Sequence, residues 1–551
     1  MISASDQAHF YTPPQIALDS AGTIHVMYIA RMYKPTGEAD YVVRYVKKNS
    51  AWSDPVTISG NLNKVSQVVM YLAGAHPHYA LTNDGSVYYG YLKDTPAPFV
   101  SDTWYLAEGY TGHNNYPGEA FDTYALVENP TGTDTTVRAT YMLPWGKTKT
   151  ATYFVPANSR YTIYLNEVDG VDNQEVSTKI ESLQHVGIIC QRSMYFDYHG
   201  KVGGHDSIGT PATSTSWYLP EGYTGHNNYP GEAFDTFVLV MNPNPNPVKV
   251  KATFMKQGGA TVEKTYDISP QSRFTIPANG IKGLENASFS TKVESLDGQG
   301  IVCERAMYFD YYGKDGGSNS IGATAPAINW YMPEGFTAKN SDVDFDTYVL
   351  IENPNAANAR LLASFMTEDG HVVQQNVTVG ANSRYTIHLN EVNGLANHSV
   401  ATRIESRNDV PVVCERSSYF NYHGKTDGDD SMGVVNTAKT WDIPEGYTGY
   451  NNYPGEAFDT YVLIQNPTGT DTDVKVTYML ESGQVLENTY PVGKNSRYTI
   501  HLNEVNGLAN HSIATRITSQ SGVEVICELA MYYRYHGRKG GSSSQAYTHP
   551  L

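Results

Sequence analysis

Four cysteines in 551 residues, Cys190, Cys303, Cys414 and Cys527, are too few and too widely spread for a disulfide framework or a zinc site. They read as buried core thiols. No stretch approaches the ~20 apolar residues that a membrane-spanning helix needs, and the opening MISASDQAHF has no charged region followed by an apolar run. Membrane insertion is therefore not expected. Charged residues make up only 17 %, and cations are the scarcer sign: 38 Lys and Arg against 56 Asp and Glu, a net charge of -18. Such a field repels nucleic acid and anionic lipid, both of which need a cationic face. The sequence also lacks G-x-S-x-G, H-E-x-x-H, a phosphate-cradling glycine motif that opens a helix, and any Cys-His pairing.

What is abundant is tyrosine, 43 residues, together with 48 glycines and 28 prolines, a composition suited to strands joined by tight turns. Trp104, Trp217, Trp330 and Trp441 each open the same text, at intervals of 113, 113 and 111 residues. W-Y-x-x-E-G-[YF]-T comes first (W-D-I-P-E-G-Y-T in the fourth copy). F-D-T-[YF]-x-L-x-x-N-P follows, then S-R-[YF]-T-I, then an apolar strand carrying the cysteine. NSRYTIHLNEVNGLANHS occurs verbatim at residues 382–399 and 495–512. Solenoid and propeller repeats run to roughly 20–50 residues, so a unit this long should fold around its own core.

Within a unit the period is two. In RYTIHLNEV, Tyr498, Ile500 and Leu502 share one face while Thr499, His501 and Asn503 share the other. Asn-Pro ends the second strand in every copy. The expected fold class is all-β, with four tandem immunoglobulin-like β-sandwich domains at 101–213, 214–326, 327–437 and 438–551. Residues 1–100 follow a different pattern, two blade-like strand-turn-strand units in PQIALDSAGTIHVMYIA and HYALTNDGSVYYGYL, with AWSDPVTISG between them.

The repeats resemble the tandem sandwich repeats of large secreted bacterial surface proteins, over residues 104 to about 545. The first hundred residues resemble a fragment of a sialidase-type β-propeller; the alternative is a small β domain that packs on its own. The first resemblance implies architecture and an extracellular or cell-surface location, without an enzymatic activity. The second implies no catalysis, because two blades cannot gather the arginine cluster, tyrosine and acids of a sialidase site.

Three constellations could carry chemistry. The charged set Glu108, Asp122, Arg160 and Arg192, with its counterparts Asp235, Arg305, Asp346 and Arg416, reads as buried structural ion pairs. Arg192 shares a face with Cys190, Met194 and Phe196, and the fourth copy has Leu529 at its position. Asp122 or Glu108 is the expected partner of Arg192. The loop GYTGHNNYPGEAFDT concentrates Tyr110, His113, Asn114 and Tyr116. Its counterparts are Tyr223, His226, Asn227 and Tyr229, and Tyr447, Tyr450 and Tyr453. Aromatic rings beside amides can stack on a sugar and bond its hydroxyls, so this is the candidate glycan site. In the third copy Asp342, Asp344 and Asp346 alternate, a set of hard oxygens able to hold calcium, the one cofactor considered. The remaining histidines read as surface residues, and glycine clusters such as GKVGGHDSIG as turns.

The functional expectation is a non-catalytic structural or adhesive array acting as a stalk, fibre or surface-layer component, its sandwiches strung out in a row. The alternative is a carbohydrate-binding accessory region of a secreted glycan-degrading enzyme. Open strand edges in the first hundred residues would permit self-association, and the ending SSSQAYTHPL suggests that the last strand of the fourth copy is incomplete or supplied by another chain.

Overall fold

The computed structural model describes strand backbone between residues 15 and 91, and residues 101–548 except 114, 116, 117 and 453. The chain divides into two units, 1–98 and 99–550. In the first, strands Gln15–Leu18, Ile24–Tyr33, Ala39–Lys48 and Val56–Thr57 form an antiparallel meander, and Val65–Ala73, His76–Asn83 and Ser86–Tyr91 form a second.

Each copy in the second unit is a sandwich of two four-stranded antiparallel sheets. In the first copy the strands are β1 (Thr103–Leu106), β2 (Ala120–Asn129), β3 (Thr135–Met142), β4 (Thr148–Val155), β5 (Ser159–Tyr164), β6 (Ser177–Ser182), β7 (Ile189–Tyr198) and β8 (Lys201–Ile208). One sheet runs β4-β3-β6-β1 and the other β5-β2-β7-β8, and the same orders recur in the other three copies. No α-helix occurs among the described residues.

The repeated motifs have local physical reasons. Trp104, Trp217, Trp330 and Trp441 are fully enclosed, and each indole N–H donates to a buried carbonyl, of Ile188, Ile301, Val412 and Val525 respectively. The asparagine of each Asn-Pro is also buried. Asn129 donates through Nδ2 to the carbonyls of Thr133 and Pro156, and its Oδ1 accepts the N–H of Thr131, which fixes the turn that proline begins. The four cysteines are enclosed and unpaired, and burial pushes their thiols well above the usual range.

The four sandwiches do not stand in a row. Their β8 strands, Lys201–Ile208, Lys314–Ile321, Lys425–Met432 and Arg538–Gln545, surround a common axis, and the fourth packs against the first as the others pack against their neighbours. The second unit is a closed ring, which corrects the expected string of beads. The cause is visible in β7, where Ile189 to Phe196 are buried on both faces of the strand. Cys190 belongs to the sandwich interior, whereas Phe196 sits in an aromatic cluster with Tyr308 of the second copy, and Tyr195 in another with Phe458 and Tyr533 of the fourth.

Three further readings are corrected. The glycine cluster at 200–209 is mostly the axial strand β8 rather than a turn. The last strand of the fourth copy is present: Arg538–Gln545 pairs in register with Ile526–Tyr535, and Tyr547 exchanges backbone hydrogen bonds with Asp442. His205 is buried, not on the surface.

Candidate functional site

The charged motifs meet at the junctions between copies. The arginine of S-R-[YF]-T binds the glutamate of E-G-[YF]-T in the preceding copy: Arg273 with Glu108 at 3.6 Å, Arg384 with Glu221, and Arg497 with Glu334 at 2.5 Å. The cycle closes when Arg160 of the first copy binds Glu445 of the fourth at 2.6 Å. A second set runs from β8 and its counterparts to the aspartate of F-D-T in the next copy: Lys201 to Asp235 at 3.4 Å, Lys314 to Asp346 at 2.7 Å, Lys425 to Asp459 at 2.5 Å, and Arg538 back to Asp122.

A third set is the most deeply enclosed. Arg192 reaches Glu304 at 3.5 Å, Arg305 reaches Glu415 at 2.7 Å, and Arg416 reaches Glu528 at 3.1 Å, each glutamate belonging to the next copy. The other oxygen of Glu415 accepts the N–H of Glu221 at 3.0 Å, and that of Glu528 the N–H of Glu334 at 3.0 Å, so each pins the neighbour's E-G turn. Arg192 also donates to Asn319 at 2.7 Å and to His205 Nδ1 at 3.1 Å, and burial together with Arg192 holds that imidazole neutral. The expected ion pairs thus exist, but their partners lie in neighbouring copies instead of within one. Arg192 pairs with neither Asp122 nor Glu108.

At the fourth junction the matching positions hold Leu529 in place of the arginine and Gln191 in place of the glutamate, both fully enclosed. Removing only one partner would bury an uncompensated charge; removing both avoids that cost. Asp206 of this junction keeps no arginine from the fourth copy, unlike its counterpart Asp430, which Arg305 holds at 2.7 Å. Burial, with repulsion from Glu445, pushes the Asp206 carboxyl up to about 7.

Tyrosines line grooves along the junctions. Between the second and third copies a cavity of about 260 Å³ is bordered by Tyr223, Tyr229, Tyr311, Tyr312, Glu232 and Arg384. Tyr229 and Tyr312 stack with centroids 4.0 Å apart, and Tyr312 is 66 % exposed. Tyr223 donates to buried Glu232 at 2.7 Å and accepts from Asn228 at 2.9 Å. Between the fourth and first copies a cavity of about 210 Å³ is bordered by Tyr124, Tyr195, Tyr447, Tyr535, Arg160 and Glu456.

Among the expected glycan residues, Tyr110, Tyr223 and Tyr447 fold back over the glycine two positions on, where a Cβ would strike the ring, and each meets the phenylalanine of F-D-T edge-on at 4.8 Å. His113 and His226 lie 3.5 and 3.6 Å from Asp122 and Asp235. Asn227 occupies a left-handed turn at φ 59°, and Tyr450 is exposed, its N–H donating to Asn510 at 2.7 Å. Asn114, Tyr116 and Tyr453 lie outside the described residues. Tyr223 and Tyr229 therefore share a groove, and Tyr447 lines another. The calcium candidates separate: Asp342 lies 2.5 Å from His423, whereas Asp344 and Asp346 face Lys314 and Lys339. No group of three or more His, Cys, Asp or Glu suited to a metal occurs among the described residues.

Sequence reasoning missed Glu232, Tyr312, the three junction glutamates and the axial residue Asp427. For the glutamates a signal existed: C-E-R, C-E-R and C-E-L in the last three copies against C-Q-R in the first.

No family model matches the chain, and no curated protein matches it. Among solved structures, Thermotoga maritima 1070 matches 20 % of this chain and 96 % of its own length at 18 % identity with a TM-score of 0.18. A tetra-tandem repeat from the extending region of a large adhesion protein matches 76 % of this chain and 92 % of its own at 13 % identity with a TM-score of 0.10. The architecture here rests on the chain's own strand pairing and not on these similarities.

Proposed function

We propose that residues 101–548 form a rigid, non-catalytic module of an extracellular or cell-surface protein, whose work is to present surfaces for adhesion. The observation that carries this reading is where the charged motifs go. Glu108, Arg192, Arg305, Arg416 and their partners are consumed in holding copy to copy and are closed to solvent. An acid or base so engaged has neither the access nor the free valence that proton transfer to a substrate requires. The ring favours a compact head over a stalk, and the complete fourth sandwich removes the need for a strand donated by another chain. Beads coated with the purified chain should adhere to an extracellular polymer surface and release no product from it; product formation that survives rigorous purification would overturn the reading.

The groove at Tyr229 and Tyr312 favours a second reading, carbohydrate binding. Stacked tyrosines, of which Tyr312 is exposed, offer a sugar an apolar platform, and the Tyr312 hydroxyl a hydrogen-bond partner. Binding on a glycan array that disappears in Tyr229→Ala/Tyr312→Ala would support it, and binding unchanged by that double substitution would move the site elsewhere.

A further inference from the structure

On the ring axis each copy contributes one residue at the same level: Gly203, Gly316, Asp427 and Gly540. The next residue in each strand is glycine, and its N–H points inward. Gly428 and Gly317 donate to Asp427 Oδ1 at 2.9 and 3.0 Å, while Gly204 and Gly541 donate to Oδ2 at 3.2 and 3.3 Å. Four amides, one from every copy, thus converge on a single enclosed carboxylate. The space is matched to one occupant, because a Cβ on Gly203, Gly316 or Gly540 would collide with that carboxylate.

The wall carries a second, independent sign. Phe196, Phe309 and Phe420 pack against the inner glycines, and the fourth ring of this set is Tyr533. Its hydroxyl is buried at the axis beside Gly204 and Gly540 and has no hydrogen-bond partner. A chamber offering four amide donors and a phenol, enclosed by aromatic rings, is built for a small anion: amides arranged this way present partial positive charge that water does not screen.

We infer that the ring axis is an anion-binding site whose resident ligand is the Asp427 carboxylate, and that the vacated cage takes a small carboxylate or halide from solution. Burial raises the Asp427 pKa against the pull of the four amides. Both oxygens already accept two N–H bonds each, which leaves a carboxylic proton nowhere to point, so the cage fits the anion. The side chain acts as a plug and a tie: it closes the axis and links all four copies through one group.

The test is Asp427→Gly in the full chain, the residue the other three copies carry at this position. Its melting temperature should fall and then recover in a saturable manner with sodium formate at pH 7, while sodium sulfate at matched ionic strength, too large for the space, restores little. The wild-type chain should show no such difference between the two salts. Bromide should appear on the axis of D427G crystals, and adding Tyr533→Phe should weaken the formate response. Asp427→Asn, which keeps the shape but turns an N–H donor toward the amides, should be destabilised and unresponsive to formate. The inference is overturned if D427G matches the wild type without formate, if it gains equally from sulfate, or if D427N is as stable as the native chain.

Discussion

Arg305 is wholly enclosed and meets Glu415 and Asp430, each at 2.7 Å, so its contribution is to cancel two charges that would otherwise be buried alone. Arg305→Ala should cost about 3–5 kcal/mol in urea unfolding. Arg305→Leu combined with Glu415→Gln, which copies Leu529 and Gln191, should cost less than Arg305→Leu alone; an additive penalty would mean that the two positions are not coupled. Asp206 gives the opposite signature in pH. Its folded pKa of about 7 lies above the ordinary 3.8, so the fold prefers the protonated form. Its stability contribution is full below about pH 4 and is lost as pH rises through 7. Asp206→Asn, which supplies the residue the second copy has in Asn319, should raise the unfolding midpoint at pH 8 and flatten the change between pH 5 and 8. A midpoint at pH 8 equal to that of the wild type would show that Asp206 is ionised at no cost.

At the scale of the strand, β8 and its counterparts are where side-chain volume is most tightly limited. Gly316→Ala sets a methyl against the Asp427 carboxylate and should lower the melting temperature, by an amount corresponding to about 1–3 kcal/mol. In an Asp427→Gly background the same alanine should be better tolerated, since the group it strikes is gone. Much of the strand level was legible beforehand. The alternation in RYTIHLNEV, the buried tryptophans and the Asn-Pro turns follow from period, volume and backbone geometry, all of which are local. The role of β8 was not legible, because a Gly-Gly pair reads equally as a turn or as a strand that another backbone approaches closely. The difference lies in three other copies of the same strand, far away in sequence.

For the molecule as a whole, the sandwich of each copy could be read from the text but the ring could not. Alternation tells which residues leave the surface of a sheet, and says nothing of whether they enter that copy's core or a neighbour's. In IICQRSMYF the consecutive Met194, Tyr195 and Phe196 were the available clue, since they commit both faces of one strand to burial. Lining up the copies would have supplied another, the joint loss of charge at Gln191 and Leu529. The candidate site was legible in part: the loop tyrosines were found, but their grooves need residues from two copies at once, such as Tyr229 with Arg384 or Tyr447 with Tyr124. A ring and a row differ plainly in solution. Scattering from residues 99–551 should give a radius of gyration of about 22 Å, as for a compact chain of this length, whereas sandwiches strung end to end would give roughly twice that.

The ring of Tyr547 rests edge-on against Trp104, with centroids 4.8 Å apart. The final turn of the fourth sandwich therefore lies beside the opening strand of the first, and the peptide between copies is one more short crossing among equals. Which crossing is left unjoined should hardly matter to the finished assembly. A rearranged gene that begins near Thr213, fuses Thr548 to Ser101 through a few flexible residues, and finishes near Ala212 should yield the same closed ring of four sandwiches, recognisable by its diffraction and its melting profile.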